Sequence, residues 1–247
     1  MTPPAPLVVA KLGGSLLDRP EWPDRLRAYL RSRPGDRVVL VVGGGRFADA
    51  LRDLDRIHAL GEGVSHALAL RVLDVTARLA AALLPGVPVL ADPADLATTP
   101  GPLAILAPRR LLDLDDRTSP DPLPHAWATT TDSIAARVAA RLGAAELVLL
   151  KSCPLPPAVA TWDEATAVGL VDPVFPRVLP AGLRVTWVDL RAVPALPEQV
   201  VEGGGGVGGQ PVEPGGGGAD DGGGGGAGEA VGVGDLAGGG PDQDGAG

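Results

Sequence analysis

Short apolar runs alternate along the chain with segments in which apolar residues recur every three or four positions. The runs predict six strands, at Leu7–Lys11, Arg37–Val42, Val87–Ala91, Leu103–Ala107, Glu146–Lys151 and Arg184–Asp189. The helical spacing predicts helices at Pro23–Arg33, Arg46–Leu60, Val64–Leu84 and Asp132–Leu142. Because the runs are continuously apolar, we expect strands that are buried on both faces of a mainly parallel sheet. The pattern therefore predicts an α/β protein, with a three-layer α/β/α sandwich.

The first apolar run ends in the sequence Lys11-Leu12-Gly13-Gly14-Ser15. Glycines let backbone N–H groups approach an anion closely, and a lysine beside them adds a compact positive charge. The order differs from that of a P-loop, in which the lysine follows the glycines. We interpret this stretch as a phosphate-binding turn.

Lysine is rare in this chain. Only Lys11 and Lys151 are lysines among the 21 basic residues, and each ends a predicted strand. If those two strands are parallel neighbours, both ammonium groups emerge at the carboxyl edge of the sheet, where open α/β sheets bind ligands. The sequence therefore predicts that the two lysines converge on one site.

A second glycine stretch, Gly43-Gly44-Gly45, joins a predicted strand to the helix that begins at Arg46. Backbone donors at a helix N-terminus can bind an anion, and an arginine there can fork onto a phosphate or a carboxylate. The alternative is a tight turn without a ligand. A dinucleotide-binding fingerprint is disfavoured, because no second strand ending in an acidic residue follows about 20 residues later.

A third stretch, Thr129-Thr130-Thr131-Asp132-Ser133, precedes a predicted helix. Thr130 or Thr131 can cap this helix, with Asp132 in its first turn, where the helix dipole favours an anion. Alternatively, Asp132 lies between the two lysines and keeps both of them in place and charged. Both interpretations stay open at this point.

Composition separates the end of the chain from the rest. The segment Gly203–Gly247 has 23 glycines in 45 residues and seven acidic residues, which predicts a disordered tail. The other 202 residues carry 21 basic and 23 acidic side chains without a basic patch, so nucleic acid is not an expected partner. The single cysteine, Cys153, and the lack of a long apolar run predict a cytoplasmic protein that does not bind membranes.

In this order, the motifs Lys-x-Gly-Gly-Ser, Gly-Gly-Gly and Thr-Asp-Ser-Ile-Ala-Ala resemble those of the amino acid kinase family, over roughly Leu7 to Asp189. His125-Ala126-Trp127 and the stretch from Gly169 to Phe175 are similar to one branch, the aminomethylfuran phosphate kinases of methanofuran biosynthesis. The resemblance implies transfer of the γ-phosphoryl group of ATP to a small phosphomonoester, with Mg²⁺ bridging ATP oxygens rather than bound by protein ligands.

The resemblance also implies a role for each motif residue. It assigns catalysis to Lys11, Asp132 and Lys151, nucleotide binding to Gly13, Gly14, Ser15, Ser152, Asp172 and Phe175, and acceptor binding to Gly43, Gly44, Gly45, Arg46, His125, Thr130 and Thr131. With a lobe boundary at Pro120–Pro124, residues 1–124 would form an acceptor lobe and residues 125–202 a shortened nucleotide lobe, followed by the tail at 203–247.

The chain departs from the family pattern after Lys151. Many members have a Thr-Asp-Val-Asp-Gly-like turn there, followed later by Gly-Gly-Met and a second catalytic lysine, and this chain has none of these before its tail. Lys151 would then supply the missing charge. Two alternatives stay open, namely a carboxylate kinase acting on an amino acid such as glutamate or aspartate, and a non-catalytic nucleotide- or phosphate-binding regulatory protein on the same scaffold. A homo-oligomer also stays open, with Val64–Leu84 as core or dimer surface.

Overall fold

A computed structural model describes residues 5–194, and their strands form one six-stranded sheet. The strands are β1 (Leu7–Leu12), β2 (Arg37–Val42), β3 (Val89–Leu90), β4 (Leu103–Leu106), β5 (Glu146–Lys151) and β6 (Arg184–Asp189). They follow the order β3-β4-β2-β1-β5-β6, and every neighbouring pair is parallel. The predicted parallel sheet is confirmed. Strand β3 is shorter than predicted, since Pro88 has no N–H to donate to a ladder.

Seven α-helices connect these strands. They are α1 (Trp22–Arg31), α2 (Gly45–His58), α3 (Glu62–Leu83), α4 (Arg109–Thr118), α5 (Thr131–Leu142), α6 (Trp162–Ala167) and α7 (Phe175–Val178). The four predicted helices are present with ends shifted by one or two residues, whereas α4, α6 and α7 were not predicted. Helices α6 and α7 are only six and four residues long, which is too short for a periodic pattern.

The core lies on both faces of the sheet. On one face, strand residues such as Val9 and Leu149 pack against Ile134 of α5. On the other face, Leu12 and its neighbours pack against Trp22 of α1. Each such buried aliphatic side chain contributes about 1.5–3 kcal/mol to stability. The predicted three-layer sandwich is confirmed, and the described residues contain no helix long and apolar enough to cross a membrane.

The strand register places the two lysines on one face. Lys11 of β1 lies beside Leu149 of β5, and Lys151 follows two residues later on β5. Because alternate residues of a strand share a face, both lysines point toward the layer that contains α5. The division into two lobes stays a prediction, and the predicted tail at 203–247 lies outside the described residues.

Candidate functional site

Both lysines contact Asp132 in the first turn of α5. The Oδ1 atom of Asp132 lies 2.9 Å from Lys11 Nζ and 2.8 Å from Lys151 Nζ, and its Oδ2 atom accepts a 2.9 Å hydrogen bond from Lys151. All three residues are buried, at 5–9% exposure. The predicted convergence is therefore observed, and one carboxylate holds two ammonium groups. If all three groups are ionised, the cluster carries one surplus positive charge.

Burial and charge compete in this cluster. Burial acts to raise the pKa of Asp132, but the charges of Lys11 and Lys151 outweigh it and hold that pKa below its ordinary value. Burial also lowers the pKa of Lys151 to about 8, helped by the like charge of Lys11 and opposed by Asp132. Lys151 is thus an ammonium group that titrates near the upper end of the neutral range.

Two further groups fix the position of Lys151. Its Nζ donates a 2.7 Å hydrogen bond to the carbonyl oxygen of Leu170, and it lies 5.2 Å from the ring centroid of Trp187. The Trp187 Nε1 atom donates in turn to the carbonyl oxygen of Cys153. Lys151 is therefore held from three sides, and neither Leu170 nor Trp187 was predicted to take part.

The two glycine stretches contact each other directly at the carboxyl edge of the sheet. A Cβ atom at Gly14 would lie 2.4 Å from the nitrogen of Gly45, and one at Gly43 would lie 2.6 Å from the nitrogen of Gly14. Gly45 also has a positive φ of 51°. Side chains are excluded at these positions because the two loops pack backbone against backbone.

The N–H groups of these glycines differ in what they contact. Gly13 donates to Leu150 and Gly43 to Leu12, and both bonds extend the sheet ladder by one residue. The predicted phosphate contacts through these two N–H groups are therefore corrected, because the donors are already used. Within the described residues, the N–H groups of Gly14, Gly44 and Gly45 contact no acceptor. These three are the donors that can meet an anion beside Lys11.

An open cleft begins next to this cluster, at Gly44 and Thr131. Its floor is apolar, with Leu70, Leu73 and Ile134 among its residues. The other lining residues include one arginine, one histidine, one tryptophan and three threonines: Arg52, His66, Trp127, Thr129, Thr130 and Thr131. An apolar floor with a few convergent polar groups is typical of a site for a small molecule.

The aromatic side of this cleft is built by contacts between α2, α3 and the loop before α5. The guanidinium of Arg52 lies 5.0 Å from the centroid of the Trp127 ring, and Trp127 Nε1 donates a 2.7 Å hydrogen bond to Asp55. His66 stacks on His125, with ring centroids 4.7 Å apart. Burial, together with the charge of His125, lowers the pKa of His66, which favours a neutral imidazole in the cleft.

Several residues with predicted ligand roles are engaged elsewhere. Arg46 is exposed and forms a 2.9 Å ion pair with Asp18, and His125 lies behind His66 and contacts Asp116 at 2.9 Å. Phe175 has 0% exposure and packs against Trp162, so its ring offers no surface to a nucleotide. The predicted nucleotide contact of Phe175 is therefore corrected to a place in the core.

The serines of the two lysine turns contact each other across the edge of the sheet. Ser15 Oγ lies 2.9 Å from Ser152 Oγ, and both are at the ends of neighbouring strands. This contact places them beside the lysine cluster, and their nucleotide contact stays a prediction.

Of the residues that line the cleft, the sequence predicted Gly44, Thr130 and Thr131 but not Arg52, His66 or Trp127. A signal was present on α2, because Gly44, Ala48 and Arg52 recur at every fourth position and thus lie on one helix face. His66 gave no such signal, since it lies in a long helix whose pattern predicts core packing.

The described residues contain no cluster of three or more His, Cys, Asp or Glu side chains that could hold a metal ion. The nearby uncommitted N–H groups and the two ammonium groups are donors that suit phosphate oxygens.

Comparison with known proteins gives a consistent result. The family model of the amino acid kinase family matches residues 6–154. A protein of Methanocaldococcus jannaschii named (5-(aminomethyl)furan-3-yl)methyl phosphate kinase is 27% identical over 144 residues. That match covers 57% of this chain and 63% of the relative's length.

Solved structures share the fold. Uridylate kinase from Archaeoglobus fulgidus superimposes with a TM-score of 0.50 at 16% identity, over 69% of this chain and 84% of that chain. Aspartate kinase from Synechocystis gives a TM-score of 0.50 at 18% identity, over 73% of this chain and 38% of that chain. With the family model matching more than half of its residues, the chain belongs to the amino acid kinase family.

Proposed function

We propose that this protein is an ATP-dependent phosphotransferase that moves the γ-phosphoryl group to a small phosphomonoester. The observation that carries the proposal is the cluster of Lys11, Asp132 and Lys151 beside the uncommitted glycine N–H groups. The surplus positive charge of this cluster favours binding of an anion, and both the triphosphate of ATP and the acceptor phosphate are anions. The relative named as an aminomethylfuran phosphate kinase supports a phosphomonoester as acceptor and makes an aminomethylfuran phosphate the first compound to test.

The proposed reaction exchanges one P–O bond for another. An oxygen of the acceptor phosphate attacks the γ-phosphorus, and the bond from that phosphorus to the β–γ bridging oxygen breaks, so the electron pair leaves with ADP. A phosphate oxygen is already ionised at neutral pH, so no strong base is required. Catalysis then depends on position and on charge neutralisation.

In this proposal, Lys11 and Lys151 neutralise the charge on the transferring group and on the leaving oxygen. Asp132 keeps both ammonium groups at fixed positions, 2.8–2.9 Å from its Oδ1 atom. The N–H groups of Gly14, Gly44 and Gly45 hold phosphate oxygens. Mg²⁺ held by the nucleotide would supply further neutralisation of phosphate charge.

The cleft lined by Arg52, His66 and Trp127 is the proposed acceptor site. Its inner end at Gly44 and Thr131 adjoins Gly45 and Asp132 along the chain, so a phosphate there would face the lysines. The apolar floor and the aromatic side chains suit a small planar organic group.

The test is ADP release by the purified full chain with Mg-ATP. The acceptors are an aminomethylfuran phosphate, UMP, glutamate and aspartate, each at several concentrations. We expect turnover with a phosphomonoester and a loss of kcat of about 100-fold or more in Lys11→Ala, because a transition-state contact is removed. Arg56→Ala is the matched control, since Arg56 is exposed and pairs only with Asp53.

Other outcomes distinguish the alternatives. Turnover with glutamate or aspartate alone would make the protein a carboxylate kinase. Nucleotide binding without any ADP release, together with a Lys11→Ala variant that changes affinity alone, would make it a regulatory binding protein.

A further inference from the structure

A second buried carboxylate, that of Asp172, lies close to the lysine cluster without contacting either lysine. Its Oδ2 atom accepts from the backbone nitrogen of Thr130 at 3.1 Å, from the Thr130 hydroxyl at 2.8 Å and from the backbone nitrogen of Ser133 at 3.0 Å. Its Oδ1 atom accepts from the Ser133 hydroxyl. It also accepts from the backbone nitrogens of Val174 and Phe175, both at 3.0 Å. Asp172 is 6% exposed, and six donors surround it.

These six donors correct the predicted cap of α5. Thr130 occupies the N-cap position, but its hydroxyl donates to Asp172 and accepts no bond from the helix. The carboxylate of Asp172 instead takes the N–H of Ser133, which a capping side chain would ordinarily accept. A negative charge at a helix N-terminus is also favoured by the helix dipole.

Four of the six partners are backbone N–H groups, two on each carboxylate oxygen, and these can only donate, so both oxygen positions require an acceptor. A carboxylate has two oxygens with about four lone-pair sites, whereas an amide of the same shape replaces one oxygen by an NH₂ group. In Asp172→Asn, that NH₂ group would face two backbone N–H donors whichever way the amide is turned. The substitution keeps the volume and removes the bonding pattern.

Asp172 links the two segments that hold Lys151. The first turn of α5, which it caps, carries Asp132, and Asp132 accepts from Lys151. The segment that contains Asp172 carries Leu170 two residues earlier, and the carbonyl oxygen of Leu170 is the other acceptor of Lys151. Both acceptors of the Lys151 ammonium are thus tied to one buried carboxylate.

We propose that Asp172 is a positioning residue, which fixes Asp132 and the Leu170 carbonyl so that they hold the Lys151 ammonium at the carboxyl edge of β5. The effect of Asp172 on catalysis rests on the proposed function, whereas its effect on the position of Lys151 does not. This role replaces the predicted contact between Asp172 and the nucleotide.

The two lysines make a direct test possible. Protein labelled with ¹³C at the lysine Cε gives two side-chain NMR signals, one from Lys11 and one from Lys151, which Lys151→Arg assigns. In the wild type, we expect the Lys151 signal to titrate near 8. In Asp172→Asn, we expect its pKa to fall further below the ordinary value of lysine, because Asp132, whose charge and hydrogen bond raise that pKa, is no longer held against the ammonium group.

Kinetics give the second readout. We expect kcat of Asp172→Asn to fall roughly tenfold to a hundredfold, as for other residues that orient a reacting group from behind, while KM for ATP changes less. Glu164→Gln is the matched control, since Glu164 also accepts from two backbone N–H groups, at Ala160 and Thr161, away from both lysines. The control is expected to leave the lysine signals and kcat unchanged.

The outcomes separate the two proposals. A lower melting temperature with unchanged Lys151 titration in Asp172→Asn would overturn the positioning role. Absence of phosphoryl transfer in the wild type would overturn the proposed function, and the NMR titration would still decide the role of Asp172. If Asp172→Asn does not fold, Thr130→Val removes a single donor, and a Lys151 titration unchanged in that variant would overturn the role as well.

Discussion

The two ends of strand β5 each carry a charged cluster, buried at the lysine end and partly buried at the other, and the clusters differ in charge balance. At the carboxyl end, Lys151 and Lys11 share the single carboxylate of Asp132. At the other end, Arg33 contacts both Glu146 and Asp36, and it also donates to the hydroxyl of Tyr29. Arg184 is the register partner of Glu146 and its charge also acts on that carboxylate, so two arginines balance two carboxylates there.

The two clusters also differ in how they shift the pKa values of their residues. Burial acts to raise the pKa of Glu146, but the hydrogen bond from Arg33 and further contacts hold it below its usual value, and the bond to Glu146 raises the pKa of Arg33. At the lysine end, the pKa of Lys151 is lowered instead. A balanced cluster stabilises the fold without a ligand, whereas a cluster with surplus positive charge is suited to bind an anion.

The largest expected effect contrasts one cation from each cluster. Lys11→Ala should lower kcat by about 100-fold or more with little change in melting temperature, because it removes a transition-state contact and relieves like-charge repulsion. Arg33→Ala should do the reverse, since it leaves Glu146 buried with fewer donors and costs about 1–3 kcal/mol of unfolding free energy. Steady-state kinetics and thermal unfolding of both variants check this. Equal kinetic losses in the two would contradict the division between the clusters.

The next effect is a dependence on pH that only the lysine cluster predicts. Above about pH 8, Lys151 loses its proton and the surplus positive charge, so kcat/KM for ATP should fall as the pH rises. If only the charged form is active, the fall reaches roughly 100-fold two pH units above that pKa. In Lys151→Arg, whose side chain stays charged, this alkaline limb should disappear even if the rate is low. An alkaline limb that persists in Lys151→Arg would assign the titration to another group.

A smaller effect concerns the glycine loops at the carboxyl end. Gly14→Ala places a Cβ 2.4 Å from the Gly45 nitrogen and should cost about 1–3 kcal/mol of unfolding free energy, because backbone must shift. Gly63→Ala is the control, since a Cβ there meets nothing within 4 Å in the first turn of α3. It should raise stability by about 0.5–1 kcal/mol. Urea unfolding of both variants measures the difference, and a fully stable Gly14→Ala would contradict the close contact between the loops.

The smallest expected effect is that of removing residues 203–247. Their composition predicts no contribution to either cluster, so kcat and melting temperature should match those of the full chain. A loss of folded protein on truncation would show that these residues support the rest of the chain.

The lysine convergence was predictable because it depends on strand ends. A continuous apolar run locates a buried parallel strand, and a charged residue at its end must emerge at the edge of the sheet. The one condition was that the runs of Lys11 and Lys151 be neighbours, and β1 and β5 do pair. The approximate helix positions were predictable from the recurrence of apolar residues every three or four positions.

The rest depended on contacts between distant residues. The cap of α5 comes from Asp172, 42 positions after Thr130, and no local pattern reveals such a partner. The N–H groups of Gly13 and Gly43 are used because the ladder continues one residue beyond the strand ends. The lining of the cleft, with Arg52 and His66 on different helices, depends on how those helices pack.

The backbone contact between Gly14 and Gly45 bears on how the molecule can change over time. The turn after β1 and the turn after β2 pack backbone against backbone, so a movement of one turn requires a movement of the other. An insertion or deletion in either turn would therefore demand a compensating change in the other. Arg52 of α2 and His66 of α3 lie outside these two turns, so the lining of the proposed acceptor site can vary without disturbing them.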